Sequence, residues 1–174
     1  MTILTVILII IALPMLIALF VKKEYNIERN IIINKPRQEV FDYVRLLKNQ
    51  ENYSKWVMAD PDMKKEYIGT DGTPGFIYSW NGNNKAGEGE QEIITIVEGE
   101  RLDLEIRFKR PFEGKAFTPL STESLTDGKT KLGWGMYGKS NYPMNLMTQL
   151  MKGVLAKDID ISLNKLKAIL EKKQ

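Results

Sequence analysis

The chain has 174 residues, with no histidine, no cysteine, 25 Lys and Arg, and 22 Asp and Glu. This length fits one domain that can bury a core without disulfides or metals. The two missing residue types exclude disulfides, thiolate nucleophiles, Ser-His-Asp triads and the usual zinc and haem ligands. A formal net charge of +3 is too small to indicate nucleic-acid binding. A binding module remains, or an enzyme that uses carboxylates, Tyr, Lys or Arg.

The first element is an apolar run without any charge over residues 2–21. A helix of this length can cross a hydrocarbon core of ~30 Å, and such helices tolerate a proline like Pro14. A cleaved signal peptide and a buried core helix are the alternatives. No basic residue precedes the run, however, and residues 18–23 make a poor cleavage site. We therefore predict an uncleaved transmembrane anchor over residues 1–22 and one domain over residues 23–174.

Positive charge follows the apolar run and does not precede it. The nearest basic residues are Lys22, Lys23, Arg29, Lys35 and Arg37. Loops rich in Lys and Arg tend to stay on the cytoplasmic side of a membrane. The chain is therefore expected to be a single-pass membrane protein with its domain in the cytoplasm, and an extracytoplasmic domain stays open.

Beyond residue 22 the hydrophobic pattern predicts a strand, two short helices, six strands and one long helix. Turn dipeptides such as Asn81-Gly82 and Asp127-Gly128 separate the strand-like runs, and prolines open two of the helices. The elements are a strand over 25–34, helices from Pro36 and over 50–56, strands over 63–69, 75–80, 88–97, 102–109, 115–125 and 129–138, and an amphipathic helix from Pro143 to about residue 172.

This order of elements predicts an α+β fold. Short connections make the six strands an antiparallel meander, and the first strand completes a sheet of seven. Only the last helix is long and apolar enough to cover the apolar face of that sheet. The space between the sheet and this helix is the first indication of a functional site.

Four segments, taken in order, resemble one known group of proteins. They are Ile31–Val44, Asn49–Trp56, Gly75–Gly89 and Gly128–Met136. Together they are similar to the SRPBCC superfamily, which comprises START domains, birch-pollen-allergen-like proteins and bacterial polyketide cyclase/dehydrases, some of them membrane-tethered. The resemblance covers about residues 25–172. It implies a helix-grip fold, in which a seven-stranded antiparallel sheet curls around a long C-terminal helix, with two short helices after the first strand.

The same resemblance implies an apolar cavity between the sheet and the C-terminal helix, which holds a lipid, a polyketide or another hydrophobic molecule. It implies no shared active site, because members range from transfer proteins to enzymes and chaperone cofactors. We expect no cofactor and no metal. The expected partners are a hydrophobic small molecule or lipid and, through residues 2–21, a membrane, but not nucleic acid.

Strand alternation selects the side chains that would face this cavity. The candidate ligand-binding residues are Phe76, Tyr78, Trp80, Leu104, Ile106, Phe108, Trp134, Met136, Met147, Met151 and Leu155. The Tyr and Trp side chains carry polar tips that need partners when buried, and the methionines give an adaptable wall. The alternative is that these residues are simply core, which is the commoner role of an apolar stripe.

These observations leave three functions open. The first is a membrane-anchored protein that binds a hydrophobic molecule without chemistry of its own. The second is a cyclase/dehydratase-like enzyme. Its acid–base groups would come from Tyr67, Tyr78, Glu92, Glu105, Arg107 and Glu123. Since Glu105 and Arg107 alternate with the apolar face, we expect these two to meet solvent. The third is an interaction module similar to the chaperone-ATPase activators of this superfamily.

Overall fold

The computed structural model describes residues 2–172, and its elements follow the predicted order. The helices are α1 (Thr2–Phe20), α2 (Arg37–Arg45), α3 (Gln50–Tyr53) and α4 (Met144–Leu170); the strands are β1 (Glu24–Ile33), β2 (Lys64–Ile68), β3 (Ile77–Asn81), β4 (Glu88–Val97), β5 (Arg101–Arg110), β6 (Gly114–Phe117), β7 (Leu120–Ser124) and β8 (Thr130–Lys139). The anchor was predicted to begin at residue 1 and the domain to end at residue 174. These two residues lie outside the described part of the chain.

One antiparallel sheet contains eight strands, in the order β1-β8-β6-β5-β4-β3-β2, with β7 paired to β5 and β8. The α+β class is confirmed, but the predicted number of seven strands is wrong. The difference arises at Pro119, which divides the predicted run over 115–125 into β6 and β7. Proline has no backbone N–H to donate to a neighbouring strand. Its carbonyl still accepts a hydrogen bond from Gly135 N at 2.9 Å.

The long helix α4 is buried mainly through its C-terminal half. Ile159, Leu163 and Leu166 are at most 1% exposed, whereas Leu150 in the first half is 70% exposed. Burying one such side chain contributes roughly 1.5–3 kcal/mol to folding. The C-terminal half of α4 therefore fixes the helix on the core, and its first half presents apolar side chains to the outside.

Side chains of α4 hold the C-terminal end of α1. Asn145 Nδ2 donates to the carbonyl oxygens of Ala18 at 2.7 Å and Val21 at 2.9 Å. Gln149 Nε2 donates to the carbonyl oxygen of Glu24 at 2.9 Å. Because the last carbonyls of a helix have no partner within it, the bonds from Asn145 satisfy groups that would otherwise need water, and the bond from Gln149 holds the start of β1. They also fix the direction in which α1 leaves the domain.

The helix α1 covers most of the segment predicted to be a transmembrane anchor. Wherever the structure describes its side chains, they are exposed, with the exception of Ala18. Within the described part of the chain, no helix has the combination of length and apolar character that crossing a membrane requires. The structure therefore gives no support to the predicted transmembrane anchor.

Candidate ligand-binding cavity

A cavity of about 210 Å³ lies on the inner face of the sheet, beneath the segment that contains α3. Strands β3, β4, β5 and β8 form one wall, and residues 50–63 form the other. Its lining comprises Gln50, Ser54, Trp56, Val57, Met63, Tyr78, Trp80, Lys85, Ala86, Gly87, Gln91, Ile106, Phe108, Arg110, Pro111 and Trp134. Lys85 and Pro111 are the exposed members, so the cavity opens between the β3–β4 loop and the end of β5.

The position of the cavity corrects the prediction that it lies between the sheet and the C-terminal helix. None of the lining residues belongs to α4. The segment that follows α3 takes that place because it packs on α4 itself: Lys55 N donates to Ser162 Oγ at 3.0 Å, and Lys55 Nζ forms an ion pair with Asp158. On the other side of this segment, Trp56 meets Trp134 edge-on with ring centres 6.0 Å apart.

Five of the eleven predicted binding residues line the cavity: Tyr78, Trp80, Ile106, Phe108 and Trp134. Four of them belong to two adjacent rows across the sheet. In one row Tyr78, Gln91 and Ile106 are neighbours, and in the other Trp80 and Phe108 flank Gly89. The strand pattern therefore places these residues together, although their contact with a ligand stays a prediction.

The other six predicted residues lie elsewhere. Phe76, Leu104 and Met136 are buried in the core, and Leu155 packs against the core from α4. Met147 and Met151, which were expected to close the cavity, are 53% and 39% exposed. The reason is that α4 is buried through its C-terminal half, so its first half does not reach the space beneath α3.

Sequence reasoning missed one whole wall of the cavity. Gln50, Ser54 and Met63 are buried there, yet the segment from 50 to 63 alternates short helical pieces with turns and has no apolar period. Gln91 was missed for a different reason. A β-bulge between Ile93 and Thr95 changes which side chains of β4 face inward, so the alternation of the strand is not uniform. The one indication in the sequence was the position of Gln91 two residues before Ile93, which gives both side chains the same face of a regular strand.

All three tryptophans of the chain line this cavity. Trp80 is held in place by a hydrogen bond from its Nε1 to the carbonyl oxygen of Ala86 at 3.1 Å, and it meets Phe108 edge-on. Gly89 lies beneath the Trp80 ring, where a Cβ atom would come within 2.8 Å of it. The absence of a side chain at Gly89 therefore lets the indole lie flat along the sheet. The result is an aromatic wall with a fixed orientation.

Polar atoms interrupt this aromatic lining. Gln50 Nε2, Tyr78 Oη and Trp134 Nε1 are buried and have no hydrogen-bond partner within the described residues. Burial raises the pKa of Tyr78 well above its ordinary value, so its hydroxyl stays protonated at neutral pH. None of the described residues that line the cavity is a carboxylate, and at its edge Arg110 is paired with Glu88 at 3.0 Å.

The carboxylates considered for catalysis are on the opposite face of the sheet from the cavity. Arg107 pairs with two of them, Glu92 at an N–O distance of 2.7 Å and Glu105 at 2.8 Å, and it also pairs with Glu90 at 2.6 Å. The expectation that Glu105 and Arg107 point away from the apolar face agrees with this pairing, although both are only partly exposed. The cluster joins β4 to β5, so its role in the structure is to hold two neighbouring strands together.

The remaining catalytic candidates are also outside the cavity, with one exception. Glu123 pairs with Lys131 at 3.1 Å on β7 and β8, and Tyr67 Oη donates to Glu51 Oε1 at 2.6 Å. Only Tyr78 lines the cavity. The lining can therefore donate a hydrogen bond from a neutral hydroxyl, but among the described residues it offers no carboxylate to accept a proton.

The Arg107 cluster predicts a pH-dependent stability. A hydrogen bond from Arg107 lowers the pKa of Glu105 below its ordinary value of 4.5. Because the pKa is lower in the folded chain than in the unfolded one, the stabilisation is present above about pH 4.5 and is lost as the pH falls through the folded pKa. We expect Glu105→Gln to lower the free energy of unfolding by about 1 kcal/mol at pH 7. The difference from the wild type should shrink below pH 4.

The matched control for this prediction is Glu123→Gln. Glu123 also forms an ion pair, with Lys131, but its side chain is 65% exposed. This variant should leave the unfolding free energy unchanged at both pH values. Denaturant unfolding at pH 7 and pH 3 measures both variants. A deficit of Glu105→Gln that stays constant between these pH values would contradict the assigned role of Arg107.

Comparison with known proteins identifies the fold of this chain. No family profile matches the chain, and no curated protein is similar to it in sequence. Several solved structures, however, are similar to this chain in fold. Ara h 8.0201 is 17% identical, with a TM-score of 0.62 over 86% of this chain and 99% of its own. Truncated norcoclaurine synthase from Thalictrum flavum is 9% identical, with a TM-score of 0.65 over 87% and 96%.

The Aha1 dimer structure from Colwellia psychrerythraea provides a third comparison, at 12% identity and a TM-score of 0.59 over 85% of this chain and 97% of that one. At these identities the likeness establishes the fold alone. The chain has the helix-grip fold of the START and birch-pollen-allergen type, so the predicted resemblance is confirmed at the level of the fold.

Proposed function

We propose that this protein binds an apolar small molecule, or part of a lipid, in the cavity lined by Trp56, Trp80 and Trp134. The observation that carries the proposal is an open space of about 210 Å³ with aromatic walls. Protein interiors are close-packed and contain few voids larger than a water molecule, so an aromatic void of this size is typical of a binding site. Its helix-grip fold is shared with Ara h 8.0201, and proteins of this type generally hold hydrophobic molecules.

The size of the cavity limits the ligand. An engineered apolar cavity of about 150 Å³ binds benzene, whereas drug-sized ligands occupy about 300–1,000 Å³. A space of about 210 Å³ therefore encloses one substituted ring or a short chain. Part of a larger molecule would have to extend out of the cavity through the opening near Lys85 and Pro111. The cavity alone thus selects for a small apolar group at the buried end of the ligand.

Binding is favoured over catalysis by the composition of the lining. A cyclisation or dehydration requires a group that accepts a proton as well as one that donates it. The raised pKa of Tyr78 makes it a weak proton donor, the described lining contains no carboxylate, and its two cations, Lys85 and Arg110, are not bases in their charged forms. No comparable observation favours the interaction module.

A fluorescence titration tests the binding proposal directly. Because all three tryptophans line the cavity, bromobenzene that enters it should quench their emission. With the full chain in lipid nanodiscs we expect quenching that saturates. Tryptophan amide mixed with the same nanodiscs is the control, and it should be quenched in proportion to the probe. Quenching of the protein that is equally proportional would contradict the proposal.

We also propose that residues 2–21 attach the chain to a lipid bilayer. The segment carries no charge, and large exposed apolar patches commonly mark interaction surfaces. The exposed apolar side chains of α1 include Ile3, Val6, Leu8, Ile10, Leu13, Met15, Leu16, Ile17, Leu19 and Phe20. On α4 they are continued by Met147, Leu150, Met151 and Val154. The hydrogen bonds from Asn145 to the end of α1 support a common orientation for the two surfaces.

Liposome flotation tests this attachment. The full chain should float with the vesicles, whereas the double substitution Ile10→Asp and Leu13→Asp should greatly reduce flotation, because a buried acidic side chain costs about 3 kcal/mol in a bilayer. The matched control replaces two exposed apolar residues elsewhere, Ile68→Asp and Phe112→Asp, and should still float. Equal flotation of the two double variants would contradict the proposal.

The location of the domain is part of the same proposal. The basic residues that follow residue 21, beginning with Lys22 and Lys23, favour a domain on the cytoplasmic side. In sealed cells, protease added outside should then leave the domain intact, and it should be digested only after the membrane is permeabilised. Digestion without permeabilisation would contradict the cytoplasmic location.

A further inference from the structure

Three of the residues that line the same cavity each carry a buried hydrogen-bond donor without a partner. They are Gln50 Nε2 on α3, Tyr78 Oη on β3 and Trp134 Nε1 on β8, and each of these residues is 3% exposed. In folded proteins at least about 90% of buried polar groups have a hydrogen-bond partner. Among the described residues, six buried side-chain atoms lack one, and these three are half of them. Such a concentration in one cavity indicates that the missing partner comes from the ligand.

The chemistry of the three atoms defines what that partner must provide. The indole N–H is a donor only, the amide nitrogen is a donor, and the Tyr78 hydroxyl donates while it stays protonated. A ligand that meets them therefore needs an acceptor. A carboxylate would need a compensating positive charge, but of the two cations of the lining Lys85 is exposed and Arg110 is already paired with Glu88. A hydroxyl would need an acceptor for its own proton, whereas a carbonyl only accepts.

We propose that the cavity selects an apolar molecule that carries a carbonyl oxygen at its buried end, where that oxygen accepts hydrogen bonds from donors among Trp134 Nε1, Tyr78 Oη and Gln50 Nε2. This inference rests on the proposed binding function and adds the chemical class of the ligand. A hydrocarbon of the same shape would fill the space but would leave the donors without an acceptor. Sites that are built around hydrogen bonds discriminate strongly against such analogues.

A matched pair of probes tests the inference. Acetophenone and α-methylstyrene have nearly the same shape, since the carbonyl oxygen of the first is replaced by a methylene carbon in the second. Calorimetry with the full chain in lipid nanodiscs, with empty nanodiscs subtracted, should give a dissociation constant at least about tenfold lower for acetophenone. Equal affinities would overturn the carbonyl inference and leave the binding proposal intact. Failure of both probes to bind would overturn both.

A pair of identical substitutions assigns the effect to the cavity. Tyr78→Phe removes a hydroxyl from the lining, and Tyr53→Phe removes one that is equally buried and equally unpartnered but does not line the cavity. Tyr78→Phe should reduce the preference for acetophenone over α-methylstyrene by about twofold to tenfold, and Tyr53→Phe should leave it unchanged. An unchanged preference in Tyr78→Phe and in Trp134→Phe would overturn the assignment. The preference is the ratio of two dissociation constants. A general loosening of the fold would weaken the binding of both probes and leave this ratio unchanged.

A spectroscopic measurement is independent of affinity. Hydrogen bonds to a carbonyl oxygen lower its stretching frequency, so carbonyl-labelled acetophenone bound to the full chain should absorb at a lower frequency than in a hydrocarbon solvent. Trp134→Phe should move the band part of the way back. A band at the hydrocarbon position in the wild-type protein would overturn the proposal even if the ketone binds.

Discussion

Replacing Ile106 by Trp is expected to weaken the binding of acetophenone by roughly tenfold or more. Ile106 lies on β5 with its side chain in the lining, next to Gln91 in the same row across the sheet. The larger indole would occupy much of a space of only about 210 Å³. The measurement is calorimetry with the full chain in lipid nanodiscs, as for the wild type.

The matched control for this variant is Ile94→Trp. Ile94 is on the neighbouring strand β4, is 38% exposed, and does not line the cavity. The same substitution there should leave the affinity for acetophenone within about twofold of the wild type. Loss of binding in both variants would show that the effect comes from the strands in general. Full binding in Ile106→Trp would show that the probe occupies some other site.

The second large effect concerns stability. Leu163→Ala should lower the free energy of unfolding by about 2–5 kcal/mol, because Leu163 is 1% exposed and its truncation leaves a cavity beneath α4. Leu150→Ala, in the same helix, should change it by less than about 0.5 kcal/mol, since Leu150 is 70% exposed. Denaturant unfolding of the two variants compares the two halves of α4. Equal losses would contradict the view that the helix is fixed by its C-terminal half.

Much of the fold could be predicted from the sequence because its elements have clear local patterns. The run Glu88–Val97, bounded by turn residues, coincides with β4, and Pro143 lies immediately before α4. The strand count could not be predicted because Pro119 can either make a bulge within one strand or separate two. Only the pairing of the neighbouring strands decides between these arrangements, and that pairing depends on residues distant in sequence.

The candidate site was predictable on one side only. A period of two identifies inward-facing side chains, and it brought Tyr78, Trp80, Ile106, Phe108 and Trp134 to one surface. It does not identify what packs on that surface, because the tertiary arrangement of the elements determines this. For that reason Met147 and Met151 were expected at the cavity although they are exposed on α4.

The opposite wall had no recognisable pattern. Gln50 and Ser54 are polar, and in a short irregular segment such residues usually face solvent. Their burial follows from the way this segment is held on α4 by Lys55, through its backbone bond to Ser162 and its ion pair with Asp158. The polar half of the candidate site therefore depends on long-range contacts, whereas its aromatic half depends on local alternation.

The most direct test of a ligand cavity with internal donors is a crystal structure of the full chain with 4-bromoacetophenone. The bromine atom can be located by its anomalous scattering. We predict one bromine site inside the cavity formed by Trp56, Trp80 and Trp134, with the carbonyl oxygen within hydrogen-bond distance of Trp134 Nε1 or Tyr78 Oη. Bromine found only on the exposed surface of α1 or α4, with the aromatic rings closed over the cavity, would contradict the proposed function.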